Sequence, residues 1–175
     1  HYRREITWSV FNEKANRVAN MLVQNGIGKG KKVAILLMNC IDWLPIYFGI
    51  LKTGAVVAPM NFRFSAEEIK YCLELSESDV LVFGPAFISR IDSIKDKLTG
   101  IKEFIFVGNE KDCPEYAVYY ENLIADMPET NVRIGISEED DAAIYFSSGT
   151  TGFPKAVLHT HKSILASCYT ENNNH

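Results

Sequence analysis

Residues 147–155 read Ser-Ser-Gly-Thr-Thr-Gly-Phe-Pro-Lys and gather four hydroxyls, two glycines and a lysine into one short segment. Gly149 and Gly152 let the backbone approach a ligand closely and turn its N–H groups inward. The hydroxyls of Ser147, Ser148, Thr150 and Thr151 add donors, and Lys155 adds a mobile positive charge. That donor set suits a polyphosphate. It is not a Walker A loop, which ends in Gly-Lys-Ser/Thr, because Pro154 precedes the lysine. A solvent-facing Ser/Thr/Gly turn stays open as the plain alternative. A lysine closing the loop between two apolar segments favours the phosphate reading.

The elements that must position this loop follow from the apolar pattern. Ala142 to Phe146 precede it and Val157-Leu158 follow it, so the loop is expected to join two buried strands. Upstream, helix and strand alternate. Ser9 is a candidate cap for a helix with the stripe Val10, Phe11, Ala15, Val18, Ala19, Leu22 and Val23, ended by Gly26. Val33 to Met38 reads as a strand buried on both faces. Asp42 is placed to cap a second helix running to Gly54, and Ala55 to Ala58 forms the next strand, stopped by Pro59. Ser65-Ala-Glu-Glu68 is a capping box for a third helix. Strands at 79–83 and 104–107 flank a helix expected from about Phe87 to Leu98. Residues 108–137 read as irregular, with a short helix near 119–124, and a last helix starts at His161 or Lys162. Short strands alternating with amphipathic helices predict an α/β fold: a doubly wound, largely parallel sheet with flanking helices. Ligands of such sheets sit beyond the carboxyl ends of strands, where residues 147–155 fall.

Ser147-Ser-Gly-Thr-Thr-Gly-Phe-Pro-Lys155 resembles the phosphate-loop signature of the adenylate-forming (AMP-binding) superfamily, which includes acyl-CoA synthetases. Leu51-Lys-Thr-Gly-Ala-Val-Val-Ala-Pro59-Met-Asn61 is similar to an earlier motif of that family, in the right order, and weaker likeness runs from Thr7 to Ser167. The resemblance implies ATP-dependent activation of a carboxylic acid through an acyl-adenylate, with Mg2+ accompanying ATP and coenzyme A as the thiol acceptor. It assigns phosphate binding to Ser147, Ser148, Gly149, Thr150, Thr151, Gly152 and Lys155, and no catalytic or metal-ligating residue. Relatives are considerably longer. They continue into an adenine pocket, a metal-binding glutamate, a hinge and a small C-terminal domain, so residues 1–175 are expected to be part of a large N-terminal domain, inactive alone. Ala156 stands where many relatives have Gly, a small change. A non-catalytic nucleotide-binding fragment, an adenylation domain serving another acceptor, and a phosphotransferase remain as alternatives.

Other signals weigh less. The chain of 175 residues is 47% hydrophobic with net charge −4, an ordinary globular profile that gives no support to nucleic-acid binding. Cys40, Cys72, Cys113 and Cys168 form no CxxC and read as free thiols of a reducing cytosol. No apolar run is long enough to span a bilayer and no signal-peptide pattern is visible. The start at His1 rather than Met is consistent with a missing natural N-terminus. Gly26, Gly28 and Gly30 follow a helix and precede a strand, the reverse of a dinucleotide loop. His159 and His161 lack the companions of a zinc site, although His161 is a candidate for substrate contact. Glu138-Glu139-Asp140-Asp141 reads as solvated surface. The G-x-S-x-G elbow of a hydrolase is absent. Tyr47, Phe48, Tyr71 and Phe87 are expected in the core. The particular acid and the oligomeric state are not encoded in any motif.

Overall fold

A computed structural model describes residues 5–147 and 152–173. In chain order it contains α1 (Trp8–Gln24), β1 (Lys32–Leu36), α2 (Trp43–Lys52), β2 (Val56–Pro59), α3 (Ala66–Ser76) and β3 (Val80–Phe83). These are followed by α4 (Ile88–Asp92), β4 (Glu103–Phe106), β5 (Val118–Tyr119), α5 (Tyr120–Ile124), β6 (Asp141–Ser147), β7 (Lys155–Thr160) and α6 (His161–Asn173). The seven strands form one sheet in the order β5-β4-β3-β1-β2-β6-β7. Every neighbouring pair is parallel except β6 and β7, which run antiparallel. The doubly wound, largely parallel sheet is therefore observed.

Strand pleating sends successive side chains to opposite faces, and both faces are apolar. Val33, Ile35, Val57, Val82 and Ile105 meet Val18, Leu22, Ile46, Ile50 and Ile124 of α1, α2 and α5. Ala34, Leu36, Ala58, Leu81, Phe83 and Phe106 meet Ile69, Leu73 and Ile91 of α3 and α4. Each fully buried aliphatic side chain contributes about 1.5–3 kcal/mol relative to exposure, so these two layers dominate the stability.

Helix boundaries follow local chemistry. The cap of α1 is Thr7, not Ser9: the Thr7 hydroxyl accepts the Val10 N–H, while the Ser9 hydroxyl donates to Glu13. Gly26 follows at φ +74°, a left-handed turn that suits glycine. The Ser65–Glu68 capping box forms as expected, and Ser65 N–H and hydroxyl lower the Glu68 pKa. Asp42 precedes α2 but makes no side-chain cap; its carboxylate takes Lys14 at 2.5 Å instead.

Four expectations are corrected. The helix foreseen over 87–98 is broken into a 3-10 turn at Pro85–Phe87, α4, and a second turn at Lys95–Lys97. Ser93 hydroxyl bonds the Arg90 carbonyl and Ile94 N–H takes Ile91, tightening the chain out of the α ladder. Strand β5, in the stretch read as irregular, is two residues long and too short for a period to show. The second strand of the hairpin is not buried: Val157 and Leu158 are half exposed, because β7 has one neighbour, β6, among the described residues. Of the four aromatics assigned to the core, Tyr47 and Phe87 are buried, Tyr71 is half-buried and Phe48 is half exposed.

Candidate functional site

β6 reaches the carboxyl edge of the sheet at Ser147, and β7 leaves that edge at Lys155. The two are register partners across the antiparallel ladder. Directly opposed side chains share a face, with Cβ atoms about 5 Å apart. The first and last of the proposed phosphate-binding residues thus stand side by side, both exposed to solvent. Gly152 has φ +100° and open space where a Cβ would sit. L side chains rarely adopt that backbone, so the turn into Phe153 depends on glycine. Ser148, Gly149, Thr150 and Thr151 lie outside the described residues.

The hairpin is anchored on both sheet faces. On one, the Phe153 ring packs against Tyr71 of α3 with centroids 4.8 Å apart, next to buried Pro154. On the other, the Tyr145 and Tyr47 hydroxyls share a hydrogen bond of 2.7 Å, tying β6 to α2. Tyr145 also meets the His159 ring edge-on at 5.4 Å, and Ser163 of α6 lies 3.3 Å from His159 Nδ1. By the alternation of the pleat, Tyr145, Ser147, Lys155 and His159 occupy one face. Sequence reading missed Tyr145 and His159 as supports, although the period of two along 143–147 and 155–159 carries that signal.

His161 is misplaced for substrate contact at the loop. It opens α6 at the base of the hairpin, six residues beyond Lys155, about 20 Å along a strand. Its N–H donates to the Asp140 carbonyl. The neighbouring acidic run is held by lysines rather than merely solvated: Lys162 lies 2.6 Å from Glu139 and 3.3 Å from Glu138, and Lys29 lies 2.6 Å from Asp140. Lys29 and the Ser137 N–H hold the Asp140 carboxyl below its ordinary pKa. No group of three or more His, Cys, Asp or Glu among the described residues is placed to hold a metal ion. No helix there is long and apolar enough to cross a membrane.

A largely parallel α/β sheet thus carries the glycine- and hydroxyl-rich sequence 147–155 at the carboxyl edge of β6. The sequence pattern of AMP-binding enzymes matches residues 1–175, and the chain belongs to that family. It is 33% identical over 166 residues to a medium/long-chain-fatty-acid–CoA/3-oxocholest-4-en-26-oate–CoA ligase of Mycobacterium marinum, covering 91% of this chain and 30% of that enzyme. It is 32% identical over 168 residues to a crotonobetaine/carnitine–CoA ligase of Salmonella enteritidis, covering 95% and 32%. Its structure superposes on the anthranilate CoA ligase AuaEII in complex with anthranoyl-AMP with a TM-score of 0.86 at 30% identity, covering 91% and 30%. For ATP-bound MatB from Rhodopseudomonas palustris the TM-score is 0.80 at 26% identity, covering 95% and 32%. The chain thus spans about a third of the length of the relatives it matches.

Proposed function

We propose that this chain is the phosphate-binding part of the large N-terminal domain of an AMP-forming acid–thiol ligase, an acyl-CoA synthetase acting on a small-molecule carboxylic acid in the cytoplasm. The observation that carries the reading is the pairing of Ser147 with Lys155 at the carboxyl edge of β6, with Gly152 at positive φ between them. Membership of the AMP-binding family supports it, as do relatives named as CoA ligases.

The chemistry to be accelerated is an electrostatic problem. A carboxylate attacks the α-phosphate of ATP, the bond to the β-phosphate breaks, and pyrophosphate leaves with its electron pair. The acyl group of the resulting adenylate then passes to the thiol of coenzyme A, releasing AMP. Catalysis rests on positioning and on charge stabilisation. Ser147, Ser148, Thr150 and Thr151 donate hydroxyls to the β- and γ-phosphate oxygens. Gly149 and Gly152 bring backbone N–H groups close, and Lys155 offsets the charge of the departing pyrophosphate. Mg2+ enters as part of the Mg-ATP substrate, bound mainly through the phosphates. The remaining parts of the nucleotide and acyl sites belong to the rest of the parent protein.

The test is acid-dependent pyrophosphate release by the full-length parent, with Thr150→Val plus Thr151→Val as the probe. Each lost bond to a charged oxygen costs about 1.5–3 kcal/mol, so adenylation falls steeply while the thermal midpoint holds. An unchanged rate returns residues 147–155 to an ordinary turn. Release of ADP in place of pyrophosphate marks a phosphotransferase.

A further inference from the structure

The strand order reverses at β1. The chain passes from β1 to β2 on one side and then crosses to β3 on the other, so the segments leaving β1 and β3 diverge. Ligands of doubly wound sheets bind in the crevice such a reversal opens. Here it is a cavity of about 490 Å3 at the carboxyl ends of β1, β3 and β4, bounded on its far side by Tyr119, Tyr120 and Glu121. That volume lies within the range of small-molecule sites. Three strand spacings, about 14 Å, separate β3 from β6, so the crevice is distinct from the hairpin.

Its chemistry is one-sided. Asp42 and Glu121 line it, and no lysine, arginine or histidine does. One Asp42 oxygen takes Lys14, and the other has no partner among the described residues. The Glu121 carboxylate has no hydrogen-bond or ion-pair partner there either. The Asn109 amide N–H donates to Asp112, leaving its carbonyl oxygen open to the crevice lining. Tyr120 is 2% exposed, and its hydroxyl is buried without a partner. Burial first, then the negative charges of Asp42 and Glu121, hold that phenol well above its ordinary pKa, so it stays neutral. Buried polar atoms of folded proteins are nearly all paired, and an unpaired one marks a place a ligand or water can fill. Met38, Pro85 and Val107 supply apolar wall, and the half-buried Tyr119 adds aromatic surface of the kind that attracts cations.

We propose that this crevice binds a small organic cation, an ammonium group carried on a compact apolar or aromatic body. The ammonium meets the open acceptors of Asp42, Glu121 and Asn109, and the body lies on the apolar wall. Phosphates and carboxylates are repelled, so the occupant is not ATP, the acid or a phosphorylated thiol carrier. The inference does not depend on the function proposed for the hairpin.

The test titrates the protein with benzylamine, benzyl alcohol and benzoate, following the backbone amide resonances of Gly84, Gly108 and Asn109. Benzylamine is expected to shift them saturably, benzyl alcohol about tenfold more weakly, and benzoate not at all. Glu121→Gln weakens benzylamine about threefold or more with an unchanged thermal midpoint, since Glu121 holds no structural contact. Tyr120→Phe, checked for folding by its amide spectrum, weakens it as well. Equal shifts from benzoate and benzylamine, or no saturable shift from benzylamine, overturn the proposal.

Discussion

The hydroxyls of Tyr47 and Tyr145 lie 2.7 Å apart, joining the second helix to the strand that leads into residues 147–155. Burial, and then the Tyr145 hydrogen bond, raise the Tyr47 pKa above the ordinary tyrosine value. The unfolded chain therefore loses this proton first as pH rises. The stability tied to the neutral Tyr47 phenol is fully present below about pH 10 and falls above it, by up to ~1.4 kcal/mol per pH unit. Urea unfolding at rising pH should show the fall, and Tyr47→Phe should make it shallower. At neutral pH either single Phe variant costs about 1 kcal/mol, and the double variant costs less than the two singles combined.

Gly49 sits where α1 crosses α2. A Cβ there would come within 2.6 Å of Val18 Cβ and 2.9 Å of the Ala15 carbonyl. Gly49→Ala should destabilise by about 1–3 kcal/mol, read as a lower denaturation midpoint, because neither neighbour can retreat without moving the helix. Adding Val18→Ala should recover part of the loss. A Gly49→Ala protein as stable as the parent would show that α1 and α2 are not in close contact.

Asp79 ties together the amino ends of three strands. It accepts from Lys31 at 3.2 Å, from Lys102 at 2.8 Å and from the Lys32 backbone N–H at 3.1 Å. Burial pushes its pKa up, but the Lys102, Lys32 and Lys31 bonds together outweigh that and leave it lowered. A depressed carboxyl stabilises the fold above its unfolded pKa and loses that effect as pH falls through the folded value. Asp79→Asn should lower stability at neutral pH and flatten its decline below about pH 4, in urea titrations at each pH.

Lys155→Met should weaken binding of inorganic pyrophosphate by about tenfold or more, the loss expected when a charge-assisted bond is removed. Isothermal titration over increasing salt is the measurement. Because Lys155 is exposed, the thermal midpoint should hold. Equal affinity for both proteins would remove the lysine from the site.

Strands β1 to β4 were legible because each is an apolar run between strong breakers, such as Gly84-Pro85 after β3. The Ser65–Glu68 box was legible because both of its bonds lie within four residues. What escaped depended on distant contacts. Asp42 has the residue type of a cap, yet Lys14, on another helix, takes its carboxylate. Residues 87–98 keep a helical spacing of buried Phe87, Ile91, Ile94 and Leu98 while the backbone abandons the helix. In the candidate site the residue types at Ser147, Gly152 and Lys155 were readable. The alignment of Tyr145 and His159 beneath them depends on strand register, which no local motif encodes.

Among the described residues the outer side of β7 is an unpaired row of amide and carbonyl groups, flanked by half-exposed Val157 and Leu158 and by α6, which buries no described residue. Such a border is a template for hydrogen bonding with any extended segment that reaches it. The strand that carries Lys155 would then be stiffened or displaced by whatever docks there.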